Sequence, residues 1–210
     1  MDAIDAAGWQ TDGRVSALNS YENRVYQIGL DDGSSVVAKF YRPERWSDAA
    51  ILEEHQFCET LADHDLPVVC PLATEQGDTL LQVGPFRFCL FPRAGGRPPE
   101  LDNSEQLTVI GRTIARMHLV GAITPFKHRV SIGPERLGDE PFTFLKSCSL
   151  LPPEVCEPYR TLVDVLLATI HERFAQLPDI EQFSIHGDFH PGNILWGASN
   201  TPHLLDFDDI

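Results

Sequence analysis

No stretch of this 210-residue sequence approaches the roughly 18–20 consecutive apolar residues that a membrane-spanning helix requires. Positive charge is also scarce. Sixteen Lys and Arg stand against 31 Asp and Glu, a formal charge of −15. A chain this acidic repels nucleic-acid phosphates unless it concentrates a basic patch, and its basic residues occur only in small groups such as Lys39 to Arg45. Neither a nucleic-acid partner nor a membrane is expected. Cysteine is sparse and odd in number: five, widely spaced, with no C-x-x-C pair. That argues against a disulfide framework or a zinc knuckle and for reduced thiols. The opening "MDAIDAAGWQTDG" lacks the basic-then-apolar order of a secretory signal. A cytoplasmic monomer is the expectation.

What remains is an ordinary globular composition, 42% apolar and 22% charged, with length for one or two domains. "RVYQIGL", the turn signal "DDGS" and the β-rich "SVVAKFY" predict a hairpin closed by Pro43. A helix follows, with Ser47 as its N-cap and Ile51, Glu54, Cys58 and Leu61 on one stripe. Glu53 points about 100° away from that stripe and is expected in solvent. Short strands then flank a turn at Gln76–Asp78, so an antiparallel sheet with one long helix is expected for residues 1–93. "AGGRPPE", residues 94–100, reads as a linker. Beyond it, residues 94–210 predict a helix capped by Ser104, a loop-rich stretch to Pro141, and a long helix from Pro152 to Leu177. A terminal hairpin closes the sequence, with strands at Ile194–Trp196 and His203–Phe207 and a turn at "GASNTP".

The chemistry concentrates in that hairpin and the "HGDFHPGN" loop before it. In an antiparallel pair the start of one strand lies beside the end of its partner, so Asn193 and Asp206 should meet, with Asp188 close by. Amide and carboxylate oxygens suit Mg²⁺, which takes one or two protein ligands and completes its shell with phosphates. Asp208 adds another oxygen group. An aspartate that orients a hydroxyl, an asparagine five residues later and a further aspartate form the layout of a phosphoryl-transfer site. Such a site requires a lysine on an N-terminal strand and a glutamate on the following helix. Lys39 and Glu54, fifteen residues apart, supply them in that order.

"HGDFHPGN" followed by "LLDFDD" resembles the aminoglycoside phosphotransferase and choline kinase branch of the protein-kinase-like fold, as do "LNSYENRVYQ", "VVAKFYRPERW" and "ILEEHQF". The similarity runs from about Leu18 to the last residue. It implies a two-lobed α+β fold with ATP between the lobes. Asp188 would be the proton acceptor, and Asn193 and Asp206 the Mg²⁺ ligands. Lys39 would hold the phosphates and pair with Glu54, Ser20 would approach ATP from the turn between the first two strands, and His186 would be structural. The implied activity is transfer of the ATP γ-phosphate to a Ser/Thr hydroxyl in protein, or alternatively to a small-molecule alcohol such as an aminoglycoside, choline or homoserine.

Three departures stand out. "LNSYENR" has no glycine, so close approach to phosphate would rest on Ser20 and Asn23. Gly187 occupies the place of the arginine of ordinary protein kinases, and Asp208 that of their metal-loop glycine. The family also carries a further helical region beyond this point, so the C-terminal lobe is expected to be truncated and a non-catalytic nucleotide-binding module is a competing reading. A zinc hydrolase built on His186, Asp188 and His190 is disfavoured, because no H-E-x-x-H and no second His/Asp cluster is present.

Overall fold

The computed structural model describes residues 1–123, 125–178, 180–198 and 200–209. Ser199 of the expected "GASNTP" turn and the final Ile210 lie outside them. The chain divides into two units, one formed by residues 1–128 with 183–210 and the other by 129–182.

The first unit opens with α1 (Asp2–Ala6), which composition did not reveal, and whose Ile4 is fully buried. Five strands follow as one antiparallel sheet in the order β1-β2-β3-β5-β4. They are β1 (Thr11–Leu18), β2 (Arg24–Leu30), β3 (Ser35–Phe40), β4 (Leu81–Val83) and β5 (Phe86–Pro92). Asp32 and Gly33 make the β2–β3 turn. Gly33 takes a left-handed φ of 84°, and the Asp32 carboxylate accepts from the Ser34 N–H.

The alternation of β3 sorts its side chains. Val36 and Ala38 join Ile4, Ile28, Phe88 and Leu90 in a core on one face, while Val37 and Lys39 face the other way. Register places Val25 and Cys89 beside Lys39, and Gln27 and Phe91 beside Val37.

Between β3 and β4 runs α2 (Asp48–Asp63), with the Ser47 hydroxyl accepting from the Ala50 N–H as its N-cap. Ile51, Glu54, Cys58 and Leu61 are all buried, as their helical spacing predicts. Glu53 corrects the expectation of a solvated carboxylate. One helical step from Glu54, it meets residues 127–128 and accepts the backbone N–H groups of Lys127 and His128, each at 2.7 Å.

Helix α3 (Ser104–Gly121) is capped by Asn103 rather than Ser104. The Asn103 residue is extended, and its Oδ1 accepts from the N–H groups of Glu105 and Gln106. The terminal hairpin consists of β6 (Ile194–Trp196) and β7 (Pro202–Leu204), the latter ending three residues earlier than the sequence suggests. A second core gathers Phe57, Leu61, Met117, Trp196, Leu204 and Phe207, fastening the hairpin to α2 and α3. The expected linker is pinned there too. Arg97 exchanges backbone hydrogen bonds with Trp196, and a Cβ on Gly96 would crowd Leu195 and Trp196.

The second unit contains α4 (Glu140–Ser147) and α5 (Pro153–Ala175), preceded by a π-helical turn at Glu135–Asp139. The sequence reads as loop through Pro141 because of its Gly and Pro residues, yet Pro141 sits in the first turn of α4, where its missing N–H costs nothing. Phe142 is buried against the edge of Tyr159, and His171 bonds the Asp139 carboxylate at 2.7 Å.

Candidate active site

The face of the sheet that carries Val37 and Lys39 lines a cavity of about 390 Å³. Ser20, Asn23, Val25 and Gln27 contribute from the β1–β2 side and Phe91 to Ala94 from the end of β5. Gly192, Asn193, Leu195, Leu205 and Asp206 contribute from the hairpin. Val25, Val37, Phe91, Leu195 and Leu205 supply apolar walls, Asn23, Lys39, Asn193 and Asp206 gather at one end, and Gln27 and Arg93, bonded to each other, add further polar lining.

Lys39 dominates that end. It is 4% exposed, and its Nζ lies 3.2 Å from Glu54, 3.1 Å from Asp206 and 3.2 Å from Asp208. Burial opposes its charge, but the carboxylates of Glu54, Asp208 and Asp206 outweigh burial and hold the ammonium well above its ordinary pKa. Asp208 is the reciprocal case. Burial pushes its pKa up, Lys39 and the Asn23 amide pull it down, and the net effect is a carboxyl below its usual value.

Asp206 follows β7 with a left-handed φ of 56°, uncommon for a residue with a side chain. The Leu205 N–H donates to the Asn193 carbonyl, which aligns the two ends of the hairpin and brings Asn193 beside Asp206, as the antiparallel argument requires. Asn193 Nδ2 donates to the Asp188 backbone carbonyl at 3.0 Å and lies 3.5 Å from its carboxylate. Asn193 is thus tied to Asp188 and faces the cavity, whereas the Asp188 side chain is about half exposed. Among the predicted positions, Ser20, Lys39, Asn193 and Asp206 line one cavity. Glu54 reaches it through Lys39, and Asp188 through Asn193.

The two loop histidines face different partners. His186 is buried, and its Nε2 donates to the Leu205 carbonyl at 2.9 Å between the rings of Phe189 and Phe207. Burial keeps its pKa below the usual imidazole value. His190 Nδ1 accepts from the Gly192 N–H at 2.9 Å, and its Nε2 stands 3.5 Å from the Asp188 carboxylate. Gly187 has a structural cause. Its φ is 78°, and a Cβ there would run into the Asp209 carbonyl oxygen, so the loop has no room for a side chain.

Sequence reading missed the sharing of Lys39 among three carboxylates and the role of Arg45, which pairs with Glu22 and, at 2.5 Å, with Asp209. The extra Asp208 in "DFDD" was the available signal.

A cation fits this donor set. Asp206 offers a half-exposed carboxylate, and Asn193, with its amide nitrogen committed to Asp188, has its amide oxygen left to offer. Both are hard oxygens, and Mg²⁺ takes few protein ligands where phosphates complete its shell. Among the described residues no group of three or more His, Cys, Asp or Glu is gathered to hold a metal, so an ion here would share its shell with other oxygens.

The chain matches the Phosphotransferase enzyme family over residues 14–210. It is 40% identical over 209 residues to stress response kinase A of Escherichia coli (strain K12), covering 100% of this chain and 62% of that protein. The same figures hold for serine/threonine protein kinase RdoA of Salmonella typhimurium (strain LT2). The chain therefore spans less than two thirds of the length of these curated relatives. Among solved structures, amicoumacin kinase hAmiN in complex with AMP-PNP, Ca²⁺ and Ami superposes with a TM-score of 0.77 at 22% identity, covering 98% of this chain and 62% of that one. A microcompartment-associated aminopropanol kinase gives 0.72 at 22% identity, covering 99% and 68%.

Proposed function

The chain belongs to the phosphotransferase enzyme family, and from that premise we propose that it is the nucleotide-holding and catalytic part of an ATP-dependent kinase that phosphorylates Ser/Thr hydroxyls in protein. The observation that carries this reading is the convergence of Lys39, Asn193 and Asp206 on one cavity that also has apolar walls. Apolar walls suit a purine, and the polar end suits its phosphates.

Each residue then has a task. Lys39, fixed by Glu54, presents a permanent positive charge to phosphate oxygens. Ser20 approaches them from the β1–β2 turn. Asn193 and Asp206 hold Mg²⁺. When bound, ATP supplies the transferable phosphoryl group and Mg²⁺ neutralises charge on its oxygens. Asp188 would accept a hydrogen bond from the acceptor hydroxyl and orient it for in-line attack. It would take the proton as the new oxygen–phosphorus bond forms and the γ-phosphorus bond to the bridging oxygen breaks, with ADP leaving. Positioning and charge neutralisation account for most of the acceleration.

The nucleotide lies between an N-terminal lobe ending near Arg93 and a C-terminal lobe that begins with the pinned 94–100 segment. Among the described residues no helix is long and apolar enough to cross a membrane, and we place the protein in the cytoplasm as a monomer. The relatives' names support a protein acceptor and a role in stress response. A second reading, a small-molecule kinase, is favoured by two solved structures that superpose on the fold, which are kinases of amicoumacin and aminopropanol by name. The net charge of −15 would also suit a cationic alcohol.

Labelled ATP decides between them when the full-length protein is incubated with a generic protein substrate and, separately, with a panel of amino-alcohols. Label on protein Ser/Thr is expected. Label confined to small molecules reverses the assignment, and no label on either removes the kinase reading.

A further inference from the structure

Asp208 occupies a position where ordinary protein kinases have glycine, and its carboxylate is buried, 5% exposed. One oxygen accepts from Asn23 Nδ2 at 3.0 Å, and the other lies 3.2 Å from Lys39 Nζ. Asn23 is 4% exposed and bonded at both ends of its amide, since its Oδ1 accepts from the Arg42 N–H at 3.0 Å. Its neighbour Glu22 pairs with Arg45, which in turn lies 3.8 Å from Asp208 and bonds Asp209. The turn between β1 and β2 is therefore cross-linked to a segment 185 residues away by side chains that are almost fully dry.

That turn, residues 19–23, contains no glycine. A phosphate-binding turn needs a fixed backbone close to the phosphates, and glycine usually supplies the freedom to adopt it. Here Ser20 and Asn23 line the cavity beside Lys39 and Asp206 with only ordinary residues between them. Asp208 differs from Asp206 in orientation and access. The Asp206 side chain is 49% exposed, while that of Asp208 is 7% exposed and faces Lys39 and Asn23. A second metal ligand would need an oxygen turned to the open cavity.

We propose that Asp208 is a positioning residue: through a buried clasp with Asn23 it locks the glycine-free β1–β2 turn against the Asp206 segment, and so sets the phosphate-binding backbone before nucleotide arrives. This rests on the phosphotransferase reading only for the identity of the ligand. The clasp itself belongs to the free chain. It predicts that the turn and the metal-side aspartate move as one piece, so that loosening either end weakens nucleotide binding without any loss of the groups that touch phosphate.

The test is a reciprocal exchange in the full-length protein. Asn23→Asp sets two carboxylates against each other, and Asp208→Asn sets an amide against Lys39 or against the Asn23 amide. The double exchange puts the donor at 208 and the acceptor at 23, while position 23 still accepts from the Arg42 N–H. Two quantities are read: backbone hydrogen exchange of residues 18–24 without nucleotide, and affinity for MgATP by calorimetry.

Each single exchange is expected to speed exchange of the turn and weaken MgATP by roughly tenfold, the scale of one charged buried hydrogen bond, and the double exchange to recover most of both. Singles that leave exchange of the turn unchanged, or a double as impaired as the singles, overturn the clasp. Asn23→Ser, which removes the amide without opposing two carboxylates, serves in place of Asn23→Asp if that variant does not fold. If the unaltered protein binds no ATP, the phosphotransferase reading fails, while exchange of the turn still decides whether the clasp exists.

Discussion

The two ends of the candidate site are built differently. At the Lys39 end the groups are buried and over-connected. One ammonium lies within 3.2 Å of three carboxylates, and one of these is held again by an amide from a distant turn. At the Asp188 end the carboxylate is about half exposed, and its side-chain neighbours Asn193 and His190 stand at 3.5 Å. A buried cation among carboxylates costs a great deal to leave incomplete, so it fixes geometry before any ligand binds. An exposed carboxylate with long contacts keeps lone pairs available and the freedom to meet a second substrate. The first arrangement suits holding a polyanion still, and the second suits meeting an acceptor, the roles proposed for them.

The largest effect expected from breaking this contrast is on stability. Lys39→Met withdraws the cation from between Glu54, Asp206 and Asp208 and should cost about 3–5 kcal/mol in chemical denaturation. Adding Glu54→Gln should return part of that loss, because one buried charge then goes with its partner. A loss below about 1 kcal/mol would mean the cluster is solvated like a surface pair. Next comes Asp188→Asn. Transfer of label from ATP should fall at least about a hundredfold, while nucleotide affinity stays within a few-fold and stability is unchanged. Equal losses of affinity and rate would place Asp188 with the structural end and erase the contrast.

Most of the buried end was legible in the sequence because regular periods fix directions. Alternation along β3 sets Lys39 opposite Val36 and Ala38, and the helical stripe of α2 turns Glu54 inward with Ile51, Cys58 and Leu61. Antiparallel pairing likewise brings Asn193 to Asp206. What stayed hidden lies between periods or far along the chain. Asp208 meets Asn23 across 185 residues, and no local pattern encodes that contact. Asn103 displaces Ser104 as a cap because both residue types suit the position and only backbone conformation chooses between them. Glu53 looks like a solvated helix carboxylate until the backbone of residues 127–128 is placed above it.

Glu53 is the source of a smaller effect that sharpens the comparison from outside the site. Glu53→Ala removes the acceptor for the Lys127 and His128 N–H groups. It should cost about 1 kcal/mol, the scale of a lost side-chain cap on backbone donors, and leave nucleotide affinity alone. Thermal denaturation beside calorimetry with MgATP measures both. A change in affinity would show that α2 transmits strain from its outer face to Glu54.

The smallest expected effect comes from His186, beneath the Asp188 loop. Its Nε2–H is committed to the Leu205 carbonyl, so protonation must occur at Nδ1, a buried atom without a hydrogen-bond partner among the described residues. Burial therefore holds the folded pKa below the value near 6.5 of an unfolded histidine. Between those two values the unfolded chain binds the additional proton, so its contribution to unfolding free energy rises with pH. The stabilisation is complete above pH about 6.5 and is lost as pH falls toward the folded pKa. Denaturation from pH 8 down to pH 5 should show this decline, and His186→Asn should flatten that part of the slope. An unchanged slope would mean that the imidazole charges without disturbing the loop, and that Asp188 stands on a softer base than the packing of Phe189 and Phe207 around His186 implies.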